Sequence, residues 1–180
     1  WRFWTPEANM KRLDEITNGN ASIWVEDGWL ETTPGNVTDY DYIEAQIKRD
    51  AETFEVMSLG YDPYNSNQLV TRLRDKHGVQ MVKTRQGFLT LSQPLKQAQR
   101  LLLKGTREDP YLRHGGNPVM RWMTDNLAVE SDAAGNVKPS KKAGMSSGHK
   151  IDGWSALVTG MSEVIASGLL DDDGKGLDVA

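Results

Sequence analysis

Short apolar runs alternate with helical segments through the middle of this sequence, and that alternation restricts the fold more than any other feature. Val56 to Tyr61 is an apolar run of strand length, closed by Asp62-Pro63. Asn65 or Ser66 then caps a helix to His77, with Leu69 and Leu73 inward and Gly78 at its end. Val79 to Val82 is a second short apolar run. Strand, helix, strand at this spacing calls for parallel pairing through a crossover, so the fold class is α/β.

The flanking segments fit that layer. Pro6 and Glu7 suit the first turn of a helix to about Ile16, stopped by Asn18-Gly19-Asn20. Ser22 to Asp27 predicts a short helix, and Trp29 to Thr33 a short strand before the turn Pro34-Gly35-Asn36. Thr38 or Asp39 caps a helix to about Thr53, with Ile43, Ile47, Ala51 and Phe54 on one apolar face. Ser92 caps another, with Pro94 in its first turn, running to Lys104. Asn117-Pro118 opens a helix through Met123, and Leu127 to Ser131 with Gly135 to Lys138 reads as a hairpin. The last helix, from about Ile151 to Ser167, carries the apolar stripe Trp154, Leu157, Val158, Met161 and Ile165. Asp152, Ala156 and Gly160 form a neighbouring stripe whose small residues predict close approach to a sheet. Residues 1–170 read as one domain, and 171–180 as an acidic flexible tail.

Composition narrows the chemistry. There is no cysteine, which excludes disulfides and thiolate metal sites. No apolar run approaches the roughly 20 residues of a membrane span, and no basic-then-apolar leader opens the sequence. The net charge of -4 suits a nucleic-acid binder poorly, but its distribution is uneven. Residues 1–60 hold 5 Lys/Arg against 12 Asp/Glu, whereas residues 83–121 hold 8 against 2. A phosphate backbone responds to local potential, so this basic middle can serve DNA, although a solvated helix face is the ordinary reading of any one such residue.

Two carboxylates carry the chemical argument. Asp62 stands where an apolar run ends, and a side chain there projects above a sheet rather than into its packed faces. Asp152 opens the last helix and can be aimed at the same spot. Two such oxygens can hold a hard divalent cation and, through it, a phosphate. The ordinary alternatives are an Asp-Pro turn opener for Asp62 and a helix-dipole acid for Asp152.

A series of segments then resembles the nuclease domain of the large terminase subunit of tailed bacteriophages. The series runs from Trp4-Thr5-Pro6-Glu7 through Trp29-Leu30-Glu31-Thr32-Thr33-Pro34-Gly35-Asn36-Val37 to Gly60-Tyr61-Asp62-Pro63. It continues with Gln86-Gly87-Phe88, Thr90-Leu91-Ser92, His114-Gly115-Gly116-Asn117-Pro118-Val119, Trp122-Met123, Asn126, Lys141-Lys142 and Lys150-Ile151-Asp152-Gly153. The resemblance implies a ribonuclease-H-like fold, a mixed sheet flanked by helices with acids at the strand ends. It implies three acids on two Mg²⁺ or Mn²⁺ ions, with Asp62 matching the second acid and Asp152 the third. The family's first acid lies upstream of the Trp-Thr-Pro-Glu segment. This sequence begins there, so the first acid and first strands are expected before Trp1, and neither Asp39 nor Asp41 replaces the acid.

The activity so implied is DNA endonuclease cleavage at the start and end of genome packaging, with water as nucleophile, in the cytoplasm of an infected bacterium. Its partners would be double-stranded DNA, the terminase small subunit and the portal, with an ATPase domain upstream in the parent protein and no membrane. No G-x-x-x-x-G-K-[ST] loop occurs in this sequence. Arg85, Lys141, Lys142 and Lys150 are the candidates for DNA-backbone contacts, with solvated loop lysines as the alternative. His77, His114 and His149 match no zinc spacing; His114 reads as part of a turn and His149 as a capping residue. A non-catalytic DNA-binding or assembly module, and a resolvase- or transposase-like nuclease, are the rival readings.

Overall fold

The computed structural model describes residues 1–170 except Asn65, His114, Ser146 and Ser147. The acidic tail and the His114 turn therefore lie outside the described residues. The chain divides into two compact units, each assembled from three separate stretches.

The first unit comprises Trp1–Glu55, His114–Leu127 and Lys141–Ile151. Strand β1 (Trp4–Pro6) pairs in parallel with β2 (Glu31–Thr33), Trp4 opposite Glu31. Between them lie a 3-10 turn at Glu7–Asn9, helix α1 (Met10–Thr17) and helix α2 (Asn20–Glu26). Asn18 stops α1 in the left-handed conformation, as its Asn-Gly-Asn context predicts. Helix α3 (Tyr40–Thr53) starts on Asp39, whose side chain accepts the Asp41 N–H at 2.9 Å. Its expected apolar face is not the buried one. Gln46 is the buried residue of α3, while Ala51 and Phe54 are exposed. Gln46 can go inside because Asp50 accepts from its amide and Arg49 donates to its carbonyl, both at 2.7 Å.

The second unit comprises Val56–Arg113, Ala128–Ser140 and the stretch from Asp152 onward. Strand β3 (Leu59–Tyr61) pairs in parallel with β4 (Met81–Lys83) across α4 (Asn67–His77), the crossover predicted from the apolar runs. Val70 and Leu73 are the buried residues of α4. Helix α5 (Phe88–Lys104) begins a turn earlier than Ser92. Leu91, Leu95, Ala98 and Leu101 form one buried stripe, and extending the helix back to Phe88 brings Leu91 into it. Ser92 is thus a helix-interior residue, and its hydroxyl accepts the Val137 N–H at 3.1 Å.

Two more elements follow in chain order: α6 (Pro118–Asp125) in the first unit, then the hairpin β5 (Leu127–Ser131) and β6 (Val137–Lys141). Asn117 caps α6 by accepting the Met120 N–H at 3.0 Å, with Pro118 in the first turn. The final helix α7 (Asp152–Ala166) packs Met161, Leu157, Val164 and Ile165 against Ala98 and Leu101 of α5. The α/β class holds, and the described strands pair two by two. Every strand of the two parallel pairs has three residues. Proline is one reason: Pro6 closes β1, and Pro63 follows Asp62 at the end of β3, each without an N–H for a longer ladder.

Candidate metal and nucleic-acid site

The position of Asp62 follows from β3. The strand ends at Tyr61, and the next residue opens a turn in which Asp62 Oδ1 accepts the Tyr64 N–H at 3.0 Å. The Asp62 carbonyl also accepts the Ser66 hydroxyl at 2.5 Å. Ser66 therefore serves this turn, and it makes no side-chain cap to α4. The turn reading of Asp62 is correct, and it occupies one carboxylate oxygen while the side chain stays exposed.

Asp152 is the first residue of α7 and is exposed, where the helix dipole favours its charge. Two contacts fix how α7 lies on β3. The Ser58 hydroxyl donates to Glu163 Oε2 at 2.9 Å. A Cβ placed on Gly60 would come within 2.9 Å of Thr159 Cγ2 and 3.2 Å of the Thr159 carbonyl. Two residues up the strand thus correspond to four residues down the helix. Those steps match, at about 6.6 Å of strand and about 6 Å of helix, so the elements run in opposite directions. Following them onward carries β3 to Asp62 and α7 to Asp152 at one common end. At about 100° per residue, Asp152, Thr159 and Glu163 fall within about 40° of one another, so Asp152 shares the stripe turned to β3. The opposite side of α7 is the one packed on α5.

Close approach was expected from Ala156 and Gly160, but both are exposed, and nothing lies within 4 Å of a Cβ on Gly160. The missing side chain belongs instead to the strand, at Gly60. A glycine inside a strand signals such an approach, so the clue was present in the sequence.

Arg85 leaves the same end of the strand pair. Tyr61 lies opposite Lys83, and the Thr84 N–H donates to the Tyr61 carbonyl at 2.9 Å. Gln86 Nε2 donates to Thr159 Oγ1 at 3.3 Å and to the Thr84 carbonyl at 3.2 Å. The exposed Arg85 therefore sits between a buried Thr84 and a residue tied to α7.

Lys141, Lys142 and Lys150 belong to the first unit and are all exposed. Asn126, quoted in the sequence only as part of the family resemblance, holds two of them. Asn126 is 2% exposed; its carbonyl accepts the Lys142 N–H and its Nδ2 donates to the Lys150 carbonyl, both at 3.0 Å. One asparagine thus ties both ends of the lysine-bearing segment. No local pattern announces this role, because its partners lie 16 and 24 residues further along the chain. His149 stacks on Trp122, with centroids 6.2 Å apart. Among the described residues, no three His, Asp or Glu side chains gather closely enough to hold an ion.

With this geometry established, comparison with known proteins gives a consistent result. The family described as the terminase large subunit, endonuclease domain, matches residues 4–168. The large terminase subunit of Enterobacteria phage HK97 is 30% identical over 178 residues, covering 98% of this chain and 33% of that protein. Protein YmfN of Escherichia coli K12 is 32% identical over 164 residues, covering 87% and 34% respectively. The crystal structure of the HK97 large terminase superposes with a TM-score of 0.75 at 28% identity, covering 91% of this chain and 33% of that one.

The fold is therefore that of a terminase large-subunit nuclease, consistent with a ribonuclease-H-like architecture. The chain belongs to the terminase large-subunit endonuclease-domain family. It spans about a third of the length of the curated relatives it matches. No helix among the described residues is long and apolar enough to cross a membrane.

Proposed function

We propose that this chain is the DNA-cutting domain of a phage packaging terminase, hydrolysing phosphodiester bonds of double-stranded DNA with Mg²⁺ or Mn²⁺. The observation that carries this reading is the common end of β3 and α7, where Asp62 leaves the strand and Asp152 begins the helix on the stripe turned to that strand. Carboxylate oxygens are hard donors of the kind these ions select. A bound pair of such ions stabilises charge on the attacking and leaving oxygens. Asp62 and Asp152 would hold the ions, and Arg85 would bind a backbone phosphate. Lys141, Lys142 and Lys150 would serve the first unit as phosphate contacts of its own. The attacking group is water, so the chain supplies no nucleophile of its own. Phosphate contacts carry no base information, and cutting shows little sequence preference within this domain. The terminase small subunit, the portal and an upstream ATPase domain complete the machine in the infected host's cytoplasm.

In the parent protein, Asp62→Ala and Asp152→Ala should each lower plasmid cleavage by about 1,000-fold or more, the scale of the several kcal/mol that metal charge stabilisation supplies. Both side chains are exposed, so circular dichroism and Tm should stay near wild type. Full cleavage by both variants would end the assignment.

A second reading is a non-catalytic DNA-binding or assembly module. Titration with Mn²⁺ separates the readings. Retained DNA binding with no Mn²⁺ binding favours the module.

A further inference from the structure

The outer face of α5 has no role in the site described above. The helix buries Leu91, Leu95, Ala98 and Leu101, and turns Lys96, Gln99, Arg100, Leu103 and Lys104 to solvent on the opposite side. These five residues line one open groove. Lys96, Arg100 and Lys104 recur at every fourth position, so their Cα atoms are about 6 Å apart in a row of about 12 Å. Like charges at that spacing repel, and α5 contains no Asp or Glu to offset them.

Lys96 Nζ donates to the Gly135 carbonyl at 3.2 Å, Arg100 Nε to Gln97 Oε1 at 3.0 Å, and Lys104 lies 5.2 Å from the Tyr111 ring centroid. Asp132 of the hairpin is the acid that feels Lys96, and its oxygens are engaged by the Ala134 and Asn136 N–H groups and the Asn136 amide.

We infer that the outer face of α5 is a second phosphate track, binding the backbone of duplex DNA on the side of α7 away from β3. Three cations about 6 Å apart along the helix can each meet a backbone phosphate of one strand, one contact per cation. A protein partner fits this face less well. Such an interface needs a buried apolar centre with aromatic anchors, and this row offers Leu103 alone. The inference rests on DNA being what the chain acts on, and it does not depend on cutting.

The test is binding of a labelled duplex of about 30 base pairs to the full-length protein in EDTA, read by anisotropy between about 50 and 200 mM NaCl. K96E/R100E/K104E should weaken binding by about 10-fold or more and lower the salt slope by about 3, near 0.9 per lost phosphate contact. K96Q/R100Q/K104Q, which introduces no new charge, should lower the slope in the same way while Tm holds, and Leu103→Ala should change neither. An unchanged slope in the glutamine triple variant overturns the track. So does a loss with Leu103→Ala as large as that of the triple variant, which points to a protein-binding face. Binding is read in EDTA, where no cutting occurs, so failure of the cutting assignment and failure of the track are separate outcomes.

Discussion

The acid-bearing end of β3 and α7 and the lysine-bearing segment of the first unit are built by different means. On β3, the helix comes so close that a single methyl group on Gly60 would collide with the Thr159 side chain and backbone. In the first unit, Lys142 and Lys150 are located by two hydrogen bonds from one buried residue, Asn126. The two constructions match two tolerances. Under the proposed metal site, the two acids would need placement to a fraction of an ångström, which packed elements provide. A lysine on a phosphate acts as a flexible point charge and works from a tethered loop.

The sharpest way to break this contrast is Gly60→Ala. Overpacking at that contact should cost about 1–3 kcal/mol, seen as a lower midpoint in urea. Displacing Asp152 should cut cleavage by about 100-fold, because misplacement by an ångström costs that much. Adding Thr159→Ser removes the methyl group in the way while keeping the hydroxyl that Gln86 reaches, and it should restore most of both losses. Cleavage by Gly60→Ala at the wild-type rate would show that the acids need no such precision.

The other half of the contrast breaks at Asn126. Asn126→Ala leaves the Lys150 carbonyl without its donor, at a cost of about 1–3 kcal/mol. Duplex affinity measured by anisotropy should fall severalfold while Mn²⁺ affinity measured by calorimetry holds. A smaller effect sharpens the picture: Lys142→Gln and Lys150→Gln should each take about 0.9 from the salt slope, and Gly60→Ala should leave that slope alone.

The smallest effect lies in the hairpin, another turn held by side chains. Bonds from Asn136, its side chain first, hold the Asp132 carboxyl below its ordinary 3.8. A lowered value in the folded state gives stability that is present above the unfolded value and lost as pH falls through the folded one. Urea midpoints of wild type and Asp132→Ala should therefore differ at pH 5 and converge in stronger acid. A difference that persists unchanged would deny the turn this role.

The sequence exposed the elements better than their faces. Apolar runs and caps located β3, α4, β4, α6 and α7, since Asn117-Pro118 and Gly78 act through neighbouring residues alone. The face of α3 was misread because burial of Gln46 depends on Asp50 and Arg49 completing its amide, which periodicity does not register. Ser92 looked like a cap because its hydroxyl suits one, yet its partner is Val137, 45 residues away. The stripe of small residues on α7 pointed to the right contact and put the small residue on the wrong element. The two aspartates were legible as candidates from position alone, and the register that sets α7 against β3 was not, because Ser58 and Glu163 are 105 residues apart.

Gripped on opposite sides by β3 and α5, α7 can hardly tilt; the freedom left to it is to slide and turn along its own axis. A slip of one residue is only about 1.5 Å but swings every side chain by about 100°. The Ser58 hydroxyl on Glu163 acts against that screw motion like a pawl on a ratchet. A neutral alcohol at the far end of the helix thereby sets the direction in which the charged group at its start is aimed.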